Sequence, residues 1–503
     1  MRAVKWLLWA ALVWTSGLET AGSAEPPIVR VGSKVFTESV VLAEVAVQLA
    51  QSAGARAEHV KQLGGTRVVW DALINGEIDV YPEYTGTIRE EILVEKKPGS
   101  TADLRRTLAA FGVGMTAPLG FNNTYALGMR RQAAEQLQIA NISDLRRHAN
   151  LTFALSNEFI DRQDGWPALR KRYRLPQKNV RGMDHDLAYR ALASGAIDLT
   201  DLYSTDAEIV ALDLRVLKDD LAHFPRYDAV FLYRADLARR APKVLDALAL
   251  VTGQISQQTM ISMNAQAKLK LVPESRIARE FLAQRLGIAT QAAESTWLDD
   301  LLLRTREHLL LVCTSLAAAI ALGVPLGVLA AYRPGWGHLV LGTTAAIYTI
   351  PSLALLVFMI PLFGIGTLPA ILALFLYSLL PIVRNTHAGL QGIPAALRES
   401  AEVLGLSGLW RLVRIELPLA MPSILAGIKT SAVINVGTAT LGALIAAGGY
   451  GQPILTGIRL GSTRLILEGA IPAALMALAA QGLFELLERV VTPRGLRIAP
   501  KSH

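Results

Sequence analysis

The chain reads as two folds in series: an α/β unit of two lobes, then an all-α transmembrane unit of about five spans. Three observations predict this. Beyond one short run at the start, long apolar runs occur only from about residue 308 onward. Ahead of them, short β-type runs such as 28–31, 151–155 and 229–233 alternate with helical patterns, the signature of an α/β unit. Within that half, residues 73–86 (LINGEIDVYPEYTG) and 192–206 (LASGAIDLTDLYSTD) echo one another. Each reads as a helix end, a glycine cap, a buried strand and a loop bearing a tyrosine. Ligands of open α/β sheets sit beyond the carboxyl ends of the strands, so two such units imply two lobes facing one cleft.

Composition bounds the possibilities. Of 503 residues, 52% are apolar and 18% charged, which excludes a disordered chain and an ordinary soluble enzyme. The formal charge of +8 does not point to nucleic acid, because the basic residues are scattered among acids or flank apolar spans, with no basic stripe interleaved with aromatics. Membrane topology accounts for the excess. The sole cysteine, Cys313, lies in an apolar run, so neither an intramolecular disulfide nor a Cys-based metal site is available.

In chain order, Arg2 and Lys5 precede an apolar stretch and a small-residue end at Gly22, Ser23 and Ala24. Residues 1–24 are a signal peptide or a retained signal anchor, and both place the following unit outside. Residues 25–297 form the α/β unit, with lobe one at about 28–125 and 230–297 and lobe two at about 126–229. The two crossings between lobes are expected near 125–129 and 227–233. After Trp297 the composition shifts, and residues 298–490 carry spans at about 308–332, 339–363, 368–390, 421–446 and 465–487. Arg333, Arg384, Arg398, Arg411 and Arg414 fall on one side if the spans alternate, together with a basic tail at 491–503. That side is expected to be cytoplasmic, which leaves the α/β unit periplasmic or extracellular on the bacterial inner membrane. Many prolines, among them Pro325, Pro351, Pro381 and Pro422, suit helices packed in a bundle. Lys429 and Asn435 within the fourth span mark either a pathway, a snorkelling group or an interhelical hydrogen bond.

Between the third and fourth spans lies ESAEVLGLSGLWRLVRIELP, residues 399–418. Its skeleton is Glu399, Ala401, Gly405, then Ile415, Leu417 and Pro418. This resembles the EAA loop of ABC importer permeases, with Ser400 in place of the first alanine. The resemblance implies two short helices broken at Gly405, where positive φ is needed, with Pro418 ending the second. Such a loop docks into a cleft of a separate ATPase subunit. The chain has no G-x-x-x-x-G-K-[ST] loop of its own, so ATP hydrolysis is expected from a partner in trans. Nor does it contain H-E-x-x-H, G-x-S-x-G or a clustered His/carboxylate site. The chain is not expected to be an enzyme, nor to hold a metal or cofactor.

The α/β half carries VGSKVFTES (31–39), LGGT (63–66), YPEYTGT (81–87), FNNTYAL (121–127), GMDHDLAYRAL (182–192), YSTDAEI (203–209) and FPRYDAV (224–230). These motifs are similar to those of periplasmic binding proteins for glycine betaine, choline and carnitine. IPSLALL (350–356) and INVGTATLGALIAAGGYG (434–451) look like the permease subunits of the same osmoprotectant importers, whose membrane fold is MetI-like, of the type I class. The resemblance implies a type II clamshell that closes on its ligand and a cage of tyrosines around a quaternary ammonium. Such a cation cannot donate hydrogen bonds, so ring faces stabilise it instead. Carried across by motif, the cage is Tyr84, Tyr125, Tyr203 and Tyr227, with Tyr81 the alternative to Tyr84. Ser33, Lys34, Thr66 and Asn123 are the donors expected for the polar end of the ligand. The chain departs from the common pattern at Ser39, where glutamine is frequent in the family.

The function implied is an ABC importer in which binding protein and permease are fused, moving a compatible solute such as glycine betaine, choline or carnitine. Ergothioneine, with its trimethylammonium group, suits the same cage. A clamshell-gated channel or receptor is the alternative class, and the 399–418 loop distinguishes it. A homodimer of the permease is expected, since one set of five spans encloses little.

Overall fold

The computed structural model describes residues 26–491 apart from 97, 163–164 and 291–295. The signal segment and the basic tail beyond residue 491 lie outside the described residues.

The α/β half contains two five-stranded sheets. The first has the order β2 (Arg56–Val60), β1 (Ile28–Gly32), β3 (Val80–Tyr84), β10 (Ala229–Arg234), β4 (Val113–Met115). The second has the order β7 (Val180–Met183), β6 (Phe153–Ser156), β8 (Leu199–Tyr203), β5 (Tyr125–Arg130), β9 (Leu214–Val216). The two echoing stretches become β3 and β8, each third in its sheet. Each pairs with one strand of the chain that has crossed over: β3 with β10 and β8 with β5, both antiparallel. The preceding glycines, Gly76 and Gly195, both have positive φ, as helix-ending glycines require. The crossings themselves are 116–124 and 217–228, bridged by Asn122 and Asp228. They precede the stretches the sequence suggests, because backbone pairing takes residues 125–130 and 229–234 into strands.

Helix α1 (Thr37–Ser52) is buried at every position from Thr37 to Ala50. A helix enclosed on all sides must satisfy its polar side chains internally. Glu44 meets His59 and Lys61, both at 2.8 Å, and Gln48 donates to the Ser275 carbonyl at 2.7 Å. Helices α2 (His185–Ser194), α3 (Gln257–Lys270) and α4 (Glu274–Leu286) complete the parts of the α/β half that bear on the site.

The helical half opens with α5 (Trp297–Tyr332), a single 36-residue helix that starts eleven residues before the expected first span. A capping box explains the early start: Thr296 Oγ1 accepts from Asp299 N at 3.2 Å, and Asp299 returns the bond to Thr296 N. The second expected span is not one helix. It divides into α6 (Pro334–Thr349) and α7 (Ser352–Phe363), bent by 98° at Ile350 and Pro351, where proline supplies no N–H to continue the ladder. Next come α8 (Thr367–Gln391), α9 (Ala395–Val403), a helical stretch from Gly408 through α10 (Leu417–Thr438) to Ile445, α11 (Gly451–Leu460) and α12 (Thr463–Val491). Among the described residues four helices are long and apolar enough to span a bilayer, five with the bent pair taken as one. Asn435 joins three of them: its Nδ2 donates to Ser315 Oγ and its Oδ1 accepts from Ser378 Oγ, both at 3.0 Å. It is therefore an interhelical clamp. Lys429 lies 3.7 Å from Glu488 on α12.

Candidate ligand-binding site

The register of the two sheets brings aromatic strand ends to the cleft between them. Tyr125, first in β5, pairs across from Tyr203, last in β8. Tyr84 ends β3 opposite Ala229, and Tyr227 sits on the returning crossing. The Tyr125 ring lies 5.0 Å from Tyr203 and 5.8 Å from Tyr227, edge-on to the latter. Phe36, just before α1, packs between Tyr84 at 6.2 Å and Tyr203 at 5.5 Å. These rings enclose about 20 Å³ together with Lys34, Thr87, Asn123 and Glu158. That is room for about one water, so a larger ligand enters only when the lobes part. A hollow of about 500 Å³ adjoins the cleft beside Phe36, Tyr203 and Glu158.

Polar contacts hold the lobes together, among them Lys268 of α3 with Asp186 and Glu208 at 2.5 and 2.7 Å and three that border the cleft. Thr66 Oγ1 donates to Glu158 at 3.2 Å, Arg162 pairs with Glu91 at 2.7 Å, and Thr205 Oγ1 donates to Glu38 at 2.5 Å. Glu38 is the hub. Besides Thr205 it accepts from the Tyr84 hydroxyl at 2.6 Å, Asn123 Nδ2 at 2.9 Å and Asn264 Nδ2 at 3.0 Å. Burial raises its pKa, opposed by the hydrogen bonds from Thr205, Tyr84 and Asn264. Burial likewise lifts the Tyr84, Tyr125 and Tyr203 hydroxyls well above the usual tyrosine range, so these three rings are neutral phenols. Behind Tyr203, the His185 ring lies 4.7 Å away, tilted by 39°, and pairs with Asp206 at 3.0 Å.

Of the residues expected from sequence, Tyr84, Tyr125, Tyr203, Tyr227, Lys34 and Asn123 meet around one space. Tyr81 does not: an odd number of residues from Tyr84 along a strand, it faces a separate apolar cluster with Trp70 and Leu73. Thr66 stands beside the cage, where its Oγ1 accepts from Lys34 Nζ at 3.0 Å. Ser33 is turned away, its Oγ accepting from Gln62 N and meeting His59 Nε2 at 2.9 Å. Ser39 caps the loop by accepting from Lys34 N at 2.9 Å and does not reach the cage. Sequence reasoning passed over Phe36 and Glu38, although both lie inside the quoted VGSKVFTES. It also passed over Glu158 and Arg162, whose guanidinium lies 5.2 Å from the Tyr125 ring.

The far end of α5 lies against the 399–418 loop. Tyr332 donates to Glu416 there, while Glu307 near the other end accepts from Gly449 N at 2.7 Å on the side of the α/β half. The 25 residues between them correspond to about 38 Å of helix. Gly405 has φ +74°, Ala401 is buried, and Arg411 pairs with Glu402 across the break. Val403, Leu404, Leu409 and Trp410 are all more than half exposed. Pro418 corrects the sequence reading: it does not end the second helix but sits in the first turn of α10, which follows directly on the wide turn at Leu412–Glu416.

An aromatic cleft between two lobes, on one chain with a multi-pass helical bundle, defines a receptor–permease fusion. Residues 27–284 match the substrate-binding domain of the ABC-type glycine betaine transport system, and residues 323–495 match the binding-protein-dependent transport system inner membrane component. The chain belongs to this family of ABC importers. It is 44% identical over 198 residues to the osmoprotectant import permease protein OsmW of Salmonella typhimurium, covering 38% of this chain and 92% of that protein. It is 43% identical over 200 residues to the glycine betaine/carnitine/choline transport system permease protein OpuCB of Bacillus subtilis, covering 39% and 91%. The ergothioneine transport permease/ergothioneine binding protein EgtU of Helicobacter pylori is 32% identical over 287 residues, covering 56% of this chain and 51% of that protein. A solved glycine betaine/carnitine/choline ABC transporter structure is 28% identical with a TM-score of 0.44, covering 51% of this chain and 98% of that one. The chain is thus a transport protein of the inner membrane, not an enzyme, and works with a separate ATPase and a small-molecule substrate.

Proposed function

We propose that the cage of Tyr84, Tyr125, Tyr203 and Tyr227 binds a quaternary-ammonium solute, and that the bundle moves it inward from a receptor on the periplasmic side. The convergence of four tyrosines and Phe36 on one small space carries this reading. Ring faces attract a desolvated methylated cation by about 0.5–2 kcal/mol each. The other end of the ligand meets Asn123. Its Nδ2 is committed to Glu38, and its buried Oδ1 has no partner among the described residues. A buried acceptor without a partner favours a ligand that donates a hydrogen bond, such as the hydroxyl of choline, over a carboxylate. Lys34, already paired with Glu83 at 2.7 Å, is less available to a carboxylate. Residues 25–297 form the receptor, 298–490 the permease, and two copies of the permease enclose the path. The exposed apolar face around Gly405 is the surface for the ATPase. Isothermal titration with choline, glycine betaine, carnitine, proline betaine and ergothioneine tests the reading. Choline should bind tightest, and failure of all five to bind sinks the cage.

A further inference from the structure

Helix α11 leaves the bundle to enter the receptor. Leu455, Ile458 and Arg459 line the same hollow as Phe36, Glu158 and Tyr203. Arg459 is only 6% exposed. Its guanidinium donates to Glu274, at the start of α4, at 2.5 Å and to Thr37 Oγ1, at the start of α1, at 3.0 Å. One turn earlier, Thr456 Oγ1 accepts from Gln62 Nε2 at 2.9 Å. Burial works against an ionised Glu274, but Arg459 and Lys61 outweigh it and hold its pKa below the usual range. Glu274 is therefore ionised.

We infer that Arg459 is a positioning residue through which the permease recognises the closed receptor, an inference that rests on the importer reading above. The hydrogen-bonding partners of α11, Glu274, Thr37 and Gln62, lie on lobe one. Lobe two reaches the end of the same helix, where a Cβ at Gly461 would lie 2.8 Å from the Arg190 guanidinium, and Tyr203 lines the hollow beside it. Parting the lobes breaks the Glu38–Thr205 bond and withdraws Arg190 and Tyr203 from α11. A buried arginine without its carboxylate is strongly unfavourable, so Glu274 fixes α11 on lobe one, and only a closed cleft adds lobe two to the contact. On its other side α11 is locked to the bundle. A Cβ at Gly457 would lie 2.6 Å from Ile466 N, and one at Gly469 would lie 2.3 Å from the Tyr450 carbonyl. With no room for a side chain between them, α11 and α12 move as one body, and docking at Arg459 reaches a membrane helix directly.

The test uses the full chain with its ATPase in lipid nanodiscs, with choline and glycine betaine as probes. Arg459→Ala and Glu274→Gln should each reduce ligand-stimulated ATP hydrolysis about ten-fold or more, with the double variant no worse than the singles. Probe affinity should change less than about three-fold, which also shows that the receptor is folded. In a Cys313→Ser background, Gln62→Cys with Thr456→Cys should cross-link under copper phenanthroline, and adding Arg459→Ala should slow this about ten-fold. Stimulation within about two-fold of the parent in either single variant, additive losses in the double, or a cross-linking rate indifferent to Arg459 overturns the inference. If the parent binds neither probe, the importer reading fails instead, and the cross-link still judges the docking.

Discussion

Tyr125 packs against four rings, Phe159, Tyr203, Phe224 and Tyr227. Tyr125→Ala or Tyr203→Ala should weaken binding of a quaternary ammonium by about 1–2 kcal/mol, or roughly ten-fold, as read by titration calorimetry. Phenylalanine should cost less, because the ring quadrupole remains; equal losses would transfer the role to the hydroxyls. The convergence of the four tyrosines was legible because each sits in a quoted motif, Tyr84, Tyr125 and Tyr203 at strand ends and Tyr227 on the returning crossing. Ser33 was misjudged for a local reason: the loop before α1 turns its hydroxyl toward His59 and Gln62, and no pattern in the sequence reports that turn. His185 gives a pH signature. Burial opposes its charge, but the hydrogen bond and charge of Asp206, with Asp201 and Asp186, push its pKa to about 9. A histidine raised above its unfolded value of about 6.5 contributes stability fully below that value and loses it as pH climbs through the folded one. The melting temperature should therefore fall from pH 7 to pH 9.5, and His185→Gln should flatten that slope. An unchanged slope in the variant would assign the loss to another group.

At the scale of elements, the loop at Gly405 makes the sharpest prediction. A side chain there meets nothing within 4 Å, so the cost of Gly405→Val is conformational alone and follows from φ +74°. The variant should insert in membranes and bind ligand as the parent does, yet lose ligand-stimulated ATP hydrolysis and co-purification of the ATPase. Normal stimulation would reduce the loop to a plain connection. The element signals differed in clarity. Echoing strands were readable because a glycine cap and a buried β run recur at both sites. The broken second span was not, because Pro351 in an apolar run permits either a kinked helix or a full break, and packing decides. Pro418 misled for the reverse reason: a proline marks a helix start as readily as a helix end.

For the whole molecule, the receptor half carries its own core. Its two sheets and α1 bury a continuous cluster running from Val29 to Leu282, with no cysteine before Cys313. Residues 25–297 alone should therefore be soluble, monomeric and indifferent to reducing agent in size-exclusion chromatography. Aggregation would mean that the contacts made by Arg459 and Thr456 are needed for folding rather than for docking. The uninterrupted helical stretch from Gly408 to Ile445 has a mechanical consequence. It spans 38 residues, or about 57 Å at the rise of an α-helix. One end bears Trp410 on the 399–418 loop. At the other, the Ile445 carbonyl accepts from Gly366 N at 2.6 Å, and Ala446 packs on the receptor's own apolar cluster. The winding changes at Leu412–Glu416 and again at Ala439–Ile445, yet the helical backbone is continuous, so a displacement of the loop would reach the foot of the clamshell along one element rather than through a chain of contacts.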